Sequence, residues 1–262
     1  MIVIGEKISI IAKRVREAMN NRDPKPIQEL AEAQWKAGAH LIDVNIGPAE
    51  DKGDELMRWM VEIIQEKVPL PLCLDTTNPI ALEAGLKAHN NQWGRPLINS
   101  TSNDPERFII LELAARYNSQ IIALTVGKGG LPADAEERCA IAADIMARAG
   151  EYGVPLEDIF LDPLILQVCT TQDQALHALK AVRMFRELND PPMKTVVGLS
   201  NISNGVPKEM RSLIDRTYLT LLMYEGLTAA IMNPLDKELM NTMKTTDVFL
   251  GNTLYAHSYL EM

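Results

Sequence analysis

The sequence predicts a single (β/α)8 barrel over residues 1–262, and three observations carry that prediction. Short apolar runs recur eight times, at residues 2–4, 41–44, 70–74, 96–98, 121–124, 159–161, 195–199 and 229–232. Their starts lie 25 to 39 residues apart, the size of one strand–helix unit. About 260 residues is also the usual length of a barrel built from eight such units, and no Ser-, Gly- or Pro-rich linker divides this chain.

Each element has its own local reason. The runs are apolar at successive positions, as strands covered on both faces are. After the first run, residues 27–37 place Ile27, Leu30, Ala31 and Trp35 at helical spacing. Residues 55–64 repeat the pattern with Met57, Met60, Val61 and Ile64, and residues 109–113, 140–149, 176–185 and 213–223 follow suit. Asn78-Pro79 and Asp104-Pro105-Glu106 read as helix N-caps with proline at the first helical position. Gly38, Gly150 and Gly226 fall just past helical segments, where a left-handed cap is common. A doubly wound open sheet is the competing architecture. It calls for a glycine fingerprint after the first strand, and Gly5-Glu6-Lys7-Ile8-Ser9 has none.

Composition narrows the function. With 26 Lys+Arg against 35 Asp+Glu, the net charge is −9, and the basic residues are dispersed. That argues against a nucleic-acid partner, which needs clustered basic surface. No apolar run approaches the roughly 20 residues of a membrane span, and the start lacks the pattern of a secretory signal. A cytoplasmic location, without membrane contact, is the expectation. Cys73, Cys139 and Cys169 form no C-x-x-C pair, and four scattered His offer no local metal spacing. Cys73, inside an apolar run, reads as a core residue.

In a (β/α)8 barrel the chemistry sits at the C-terminal strand ends. The residues closing the eight runs are Glu6, Asn45, Asp75, Asn99, Thr125, Asp162, Asn201 and Asn233, with Asp43 inside the second. A mouth of Asp and Asn with little positive charge suits a ligand rich in N–H donors more than a phosphate. The Gly127-Lys128-Gly129-Gly130 segment lacks the phosphate-binding pattern and is expected to form a loop over that mouth.

Four of these strand ends carry a resemblance. Leu72-Cys73-Leu74-Asp75-Thr76-Thr77-Asn78, Leu97-Ile98-Asn99-Ser100-Thr101, Phe160-Leu161-Asp162-Pro163-Leu164 and Val197-Gly198-Leu199-Ser200-Asn201-Ile202-Ser203 resemble the pterin-binding family. That family includes dihydropteroate synthases, the folate module of cobalamin-dependent methionine synthase and the methyltetrahydrofolate:corrinoid/iron–sulfur protein methyltransferases. The likeness runs from Gly5-Glu6-Lys7-Ile8 nearly to the C-terminus and is strongest to the last group. By motif, the family's pterin contacts fall on Asp75, Asn99 and Asp162, and its Asn near N5 on Asn201. Asn204 falls near a further polar contact of the methyltransferases, with an imperfect match in type.

Departures from the relatives matter equally. The seventh strand continues Gly198-Leu199-Ser200-Asn201 without the basic pair of the synthases, and Tyr255-Ala256-His257 replaces their Arg-x-His. The length leaves no room for a homocysteine module, and no D-x-H-x-x-G segment is present to ligate cobalt. The resemblance therefore implies transfer of the N5 methyl of 5-methyltetrahydrofolate to Co(I), with no cofactor held by the chain itself. The corrinoid would arrive on a partner, a corrinoid iron–sulfur protein, as in the reductive acetyl-CoA pathway. Another corrinoid acceptor and a non-catalytic folate-binding protein are the alternatives. Family precedent and exposed-looking Met and Trp59 suggest a homodimer.

Overall fold

The structure, a computed structural model, describes residues 1–261. Eight parallel strands close in chain order: β1 (Ile2–Ser9), β2 (Leu41–Asn45), β3 (Leu72–Asp75), β4 (Leu97–Asn103), β5 (Gln120–Gly127), β6 (Ile159–Asp162), β7 (Lys194–Gly198) and β8 (Ala229–Met232). Each pairs with the next, and β8 pairs back with β1. All eight apolar runs thus become strands of one barrel. The helices around it are α1 (Lys13–Asn21), α2 (Pro24–Lys36), α3 (Gly53–Gln65), α4 (Pro79–Ala88), α5 (Ile109–Arg116), α6 (Ala135–Glu151), α7 (Gln172–Arg186), α8 (Lys208–Tyr224) and α9 (Lys237–Phe249).

Local chemistry explains most boundaries. Asn78 Oδ1 accepts from the Ile80 and Ala81 amides and opens α4 ahead of Pro79. Asp104 does cap a turn, but only the short 3-10 segment Pro105–Arg107 before α5. Gly38 and Gly226 have the expected positive φ, 98° and 96°. Gly150 does not: α6 runs through it to Glu151, and the left-handed residue is Gly153 at φ 76°. The helical hydrogen bonds outlast the periodicity that marked the helix. Helices α1 and α9 lie outside the segments singled out by sequence. α1 is strongly polar, with only Val15, Ala18 and Met19 buried.

The barrel interior is built in layers. One buried apolar residue from every strand forms a ring: Ile4, Leu41, Cys73, Leu97, Ile122, Phe160, Val196 and Ala229. Their immediate neighbours, such as Ile42, Leu74, Ile98 and Leu161, pack under the helices, and Val197 and Ala230 do the same on the other side. Side chains alternate faces along a strand. The residue two beyond each ring member therefore points inward again, one layer nearer the C-terminal mouth. Those residues are Glu6, Asp43, Asp75, Asn99, Leu124, Asp162, Gly198 and Ile231. The layer is polar on β1 to β4 and β6, and apolar or bare on β5, β7 and β8.

Candidate active site

Three strands place their polar groups in contact. Asn99 Nδ2 donates to Asp43 Oδ1 at 3.3 Å, and the Asn45 amide donates to Asp75. Strand register supports this, since Asn45 lies beside Asp75 and Asp75 beside Asn99. Asn45 Oδ1 also accepts from the Gly47 amide at 3.1 Å, which holds its NH2 toward Asp75. The sequence-predicted Asp75 and Asn99 are thus brought together, with Asp43 as a third, deeper member. Asn99 is not a strand end, because β4 continues to Asn103.

Burial controls the ionisation of these acids. Asp43 is pushed well above the usual carboxylate range, first by burial and then by the nearby Asp75, against hydrogen bonds from Cys73 and Asn99. Burial likewise raises Asp75 to about 6, opposed by the Asn45 amide. Asp162, buried at the end of β6, is pushed up to about 7, with the Leu164 amide and Arg138 opposing. The Leu164 N–H donates to Asp162 Oδ1 at 2.7 Å.

Behind Asp162 lies Arg138, fully buried on α6. It donates to the carbonyls of Pro163 at 2.6 Å and Asp134 at 2.9 Å, and to Gln174 Oε1 at 2.8 Å. This guanidinium, unmarked by any sequence signal, fixes the turn after β6. Thr125 is structural too: it is buried, inside β5, and its hydroxyl donates to the Asp162 carbonyl at 2.9 Å.

Raised carboxyl pKa values carry a stability consequence with a definite sign. The folded state holds protons on Asp75 and Asp162 that the unfolded chain has already released above pH 4. Their contribution to stability is fully present below the unfolded values and is lost as pH rises through about 6 and 7. Folate-free protein should therefore melt at higher temperature at pH 5 than at pH 8, and Asp162→Asn should flatten that difference. Calorimetry of both proteins at the two pH values checks this.

Asn201 and Asn204 belong to a separate group, on the loop between β7 and α8. β7 ends at Gly198, and Leu199–Asn201 forms a 3-10 turn, so Leu199 lies outside the strand. Asn204 Nδ2 donates to Asn201 Oδ1 at 3.3 Å. A Cβ on Gly198 would stand 3.0 Å from Asn201 Nδ2, so the bare strand end leaves space for that amide to fold across it. Ser200 Oγ lies 2.7 Å from each oxygen of Glu6. Beside this loop a cavity of about 360 Å3 is lined by Glu6, Ser200, Asn204, Arg211, Asp215 and Asn233, among others. A larger one, about 550 Å3, lies at the opposite end of the barrel by Met1, His40 and Met240. It is remote from the strand ends where barrel chemistry is built.

Other candidates serve structure. His40 Nδ1 accepts from the Val3 amide and His89 Nε2 from the Leu72 amide, both pinning strand starts. The Gly127–Gly130 segment closes as a tight turn, with the Gly130 amide donating to the Gly127 carbonyl at 2.9 Å. Among the described residues, no group of three or more His, Cys, Asp or Glu could hold a metal ion. Among the described residues no helix is long and apolar enough to cross a membrane.

The site is a closed barrel whose inward layer carries the buried Asp43 and Asp162 with the half-buried Asp75 and Asn99, and comparison supplies the family. Residues 12–233 match the pterin binding enzymes, and the chain belongs to that family. It is 30% identical over 262 residues to a methylcorrinoid:tetrahydrofolate methyltransferase of Eubacterium limosum, covering 99% of this chain and 94% of that one. It is also 30% identical over 244 residues to methionine synthase of Mycobacterium tuberculosis, covering 89% of this chain and 20% of that protein. The structure of Yersinia pestis DHPS with a pterine–sulfa conjugate superposes with a TM-score of 0.71 at 16% identity, over 95% of this chain and 94% of that one. That last likeness concerns the fold alone.

Proposed function

We propose that this protein moves a methyl group between N5 of tetrahydrofolate and the cobalt of a corrinoid carried by a separate protein. The observation that carries the reading is the inward layer of Asp43, Asp75, Asn99 and Asp162, in a family member aligned along nearly its whole length with a methylcorrinoid:tetrahydrofolate methyltransferase. Asp75, Asn99 and Asp162 take the pyrimidine edge and amino group of the pterin. Acceptors there match the N–H groups of that edge. Leu124, Gly198 and Ile231 on the other side leave a less polar wall for the ring faces.

The reaction is a displacement at the methyl carbon. Co(I) supplies the electron pair of the new Co–C bond, and the pair of the broken C–N bond stays on N5. An amine anion leaves poorly, so N5 must carry a proton first. Asn201 is no acid, but its oxygen accepts from N5–H⁺ and favours the charged form. In the opposite direction, the one written in the name of the Eubacterium limosum relative, N5 attacks methyl-cobalt and then releases its proton. The same groups serve both directions.

We further take the corrinoid carrier to be an iron–sulfur protein and the setting to be the cytoplasmic reductive acetyl-CoA pathway. The test is single-turnover transfer from 5-methyltetrahydrofolate, followed by loss of the Co(I) absorbance. Transfer to a purified corrinoid iron–sulfur protein supports the full reading. Transfer only to another corrinoid protein moves the chain to a different acceptor. Folate binding without any transfer leaves a binding protein.

A homodimer is part of this reading, but its surface differs from the one suggested by sequence. Trp59 is half-buried, with the Arg22 guanidinium 5.2 Å from its ring centroid, and Met57 and Met60 are fully buried. Exposed apolar side chains gather instead on α7 and α8, at Leu176, Leu213 and Leu221. An exposed cluster of this kind marks an interaction face. Sedimentation should show a dimer at micromolar concentration, and Leu213→Lys with Leu221→Lys should yield monomer. A monomeric parent would remove the dimer from the reading.

A further inference from the structure

Glu6 has no part in the pterin contacts above, yet the fold ties it to the loop that carries Asn201. It points inward from β1, and the Ser200 hydroxyl donates to it, 2.7 Å from either oxygen. Ser200 directly precedes Asn201 in the same 3-10 turn. Across the shared cavity stands Asp215 of α8, whose Oδ1 is buried without a hydrogen-bond partner among the described residues. Two acids and one hydroxyl thus border one cavity, and the hydroxyl belongs to the residue directly before Asn201, which the proposed function sets beside N5.

The charges around Glu6 are mixed. Lys7 follows it on β1, Asp43 faces it from β2, Lys208, Arg211 and Asp215 face it from α8, and Asp236 lies at the start of α9. Burial raises Glu6, with Asp215 adding to the rise and Ser200 and Lys7 opposing it. Asp215 is itself raised by burial, against a hydrogen bond from Ser203.

We propose that Glu6, acting through the Ser200 hydroxyl, is the proton store with which N5 exchanges during methyl transfer. It is a positioning residue that does not touch the folate, and the inference rests on the methyltransferase reading. When Glu6 is protonated, its O–H donates to Ser200 Oγ, which frees the serine hydroxyl to donate toward the folate. The Glu6 O–H bond then breaks as Ser200 passes its own proton, directly or across one water, to the N5 lone pair. The C–N bond breaks with its electrons left on N5, and Co(I) takes the methyl. In the opposite direction the proton returns by the same route. Asp215 keeps Glu6 loaded, because a second negative charge in the cavity disfavours the carboxylate.

The experiment is single-turnover transfer from 5-methyltetrahydrofolate to cob(I)alamin between pH 5.5 and 8.5, with folate affinity measured alongside. Glu6→Gln should bind folate within about threefold of the parent yet transfer about tenfold or more slowly at pH 7.5. That deficit should shrink on acidification, as solvent acid replaces the carboxyl. Ser200→Ala should behave likewise, and Ser200→Thr, which keeps the hydroxyl, should recover most of the rate. A parental pH profile in Glu6→Gln, an equal loss at every pH, or a Ser200→Thr as slow as Ser200→Ala overturns the proposal. A parent protein that binds folate but transfers nothing overturns the methyltransferase reading instead. Calorimetry in buffers of different ionisation heat then decides the proton store. Proton uptake on folate binding should differ between parent and Glu6→Gln, and identical uptake overturns it.

Discussion

Asn201→Ala should slow single-turnover methyl transfer roughly ten- to hundredfold while weakening folate binding less. The amide stands on the loop after β7, where it folds over the bare end at Gly198. Its oxygen can accept from N5 only once that nitrogen carries a proton, so the contact strengthens as charge develops. An interaction made chiefly in the transition state appears in the rate rather than in ground-state affinity. A hydrogen bond to a charged group contributes about 1.5–3 kcal/mol, which converts to that range of rate. Both affinity and rate must be measured across pH on folded protein. A rate within about twofold of the parent would reduce Asn201 to a partner of Asn204 in holding the loop, and N5 activation would then fall to Asp43 and Asp75.

Asp75→Asn and Asp162→Asn should each weaken 5-methyltetrahydrofolate binding by about 1.5–3 kcal/mol, or roughly ten- to hundredfold. Each carboxylate is acceptor-only when ionised, and the amide replaces one acceptor by a donor facing pterin N–H groups. Both acids are raised by burial, so the folate-free variants should fold at least as well as the parent at pH 8. Loss of affinity without loss of stability separates a binding role from a structural one. If both variants bound folate as tightly as the parent, the pterin would have to lie elsewhere, and the cavity beside Asn204 would be the next place to look.

How much of this was legible depended on the range of the cause. The eight strands were readable because two-sided burial demands continuous apolar runs, and each run survives as a strand. Helix ends were readable where a side chain makes the cap, as at Asn78. They were misread where the backbone decides, as at Gly150, which α6 overruns. Leu199 looked like strand because it is apolar and buried, yet it belongs to the turn that presents Ser200 and Asn201. Trp59 looked exposed for want of any local sign that Arg22 would cover it.

The sequence by itself determined the barrel and set Asp or Asn near the ends of its strands, while the closed barrel chose which face of each uninterrupted apolar run forms the inner ring. Once that face is chosen, Asp43, Asp75, Asn99 and Asp162 are inward because each sits two residues beyond a ring member. Only the tertiary structure decided which of them meet. Asn99 reaches Asp43 across 56 positions, Arg138 reaches the carbonyl after Asp162 across 25, and Ser200 reaches Glu6 across 194. Periodicity assigns a face to a residue but no neighbour to it. Neighbours are set when β8 closes against β1, which brings the two ends of the chain to opposite sides of one cavity.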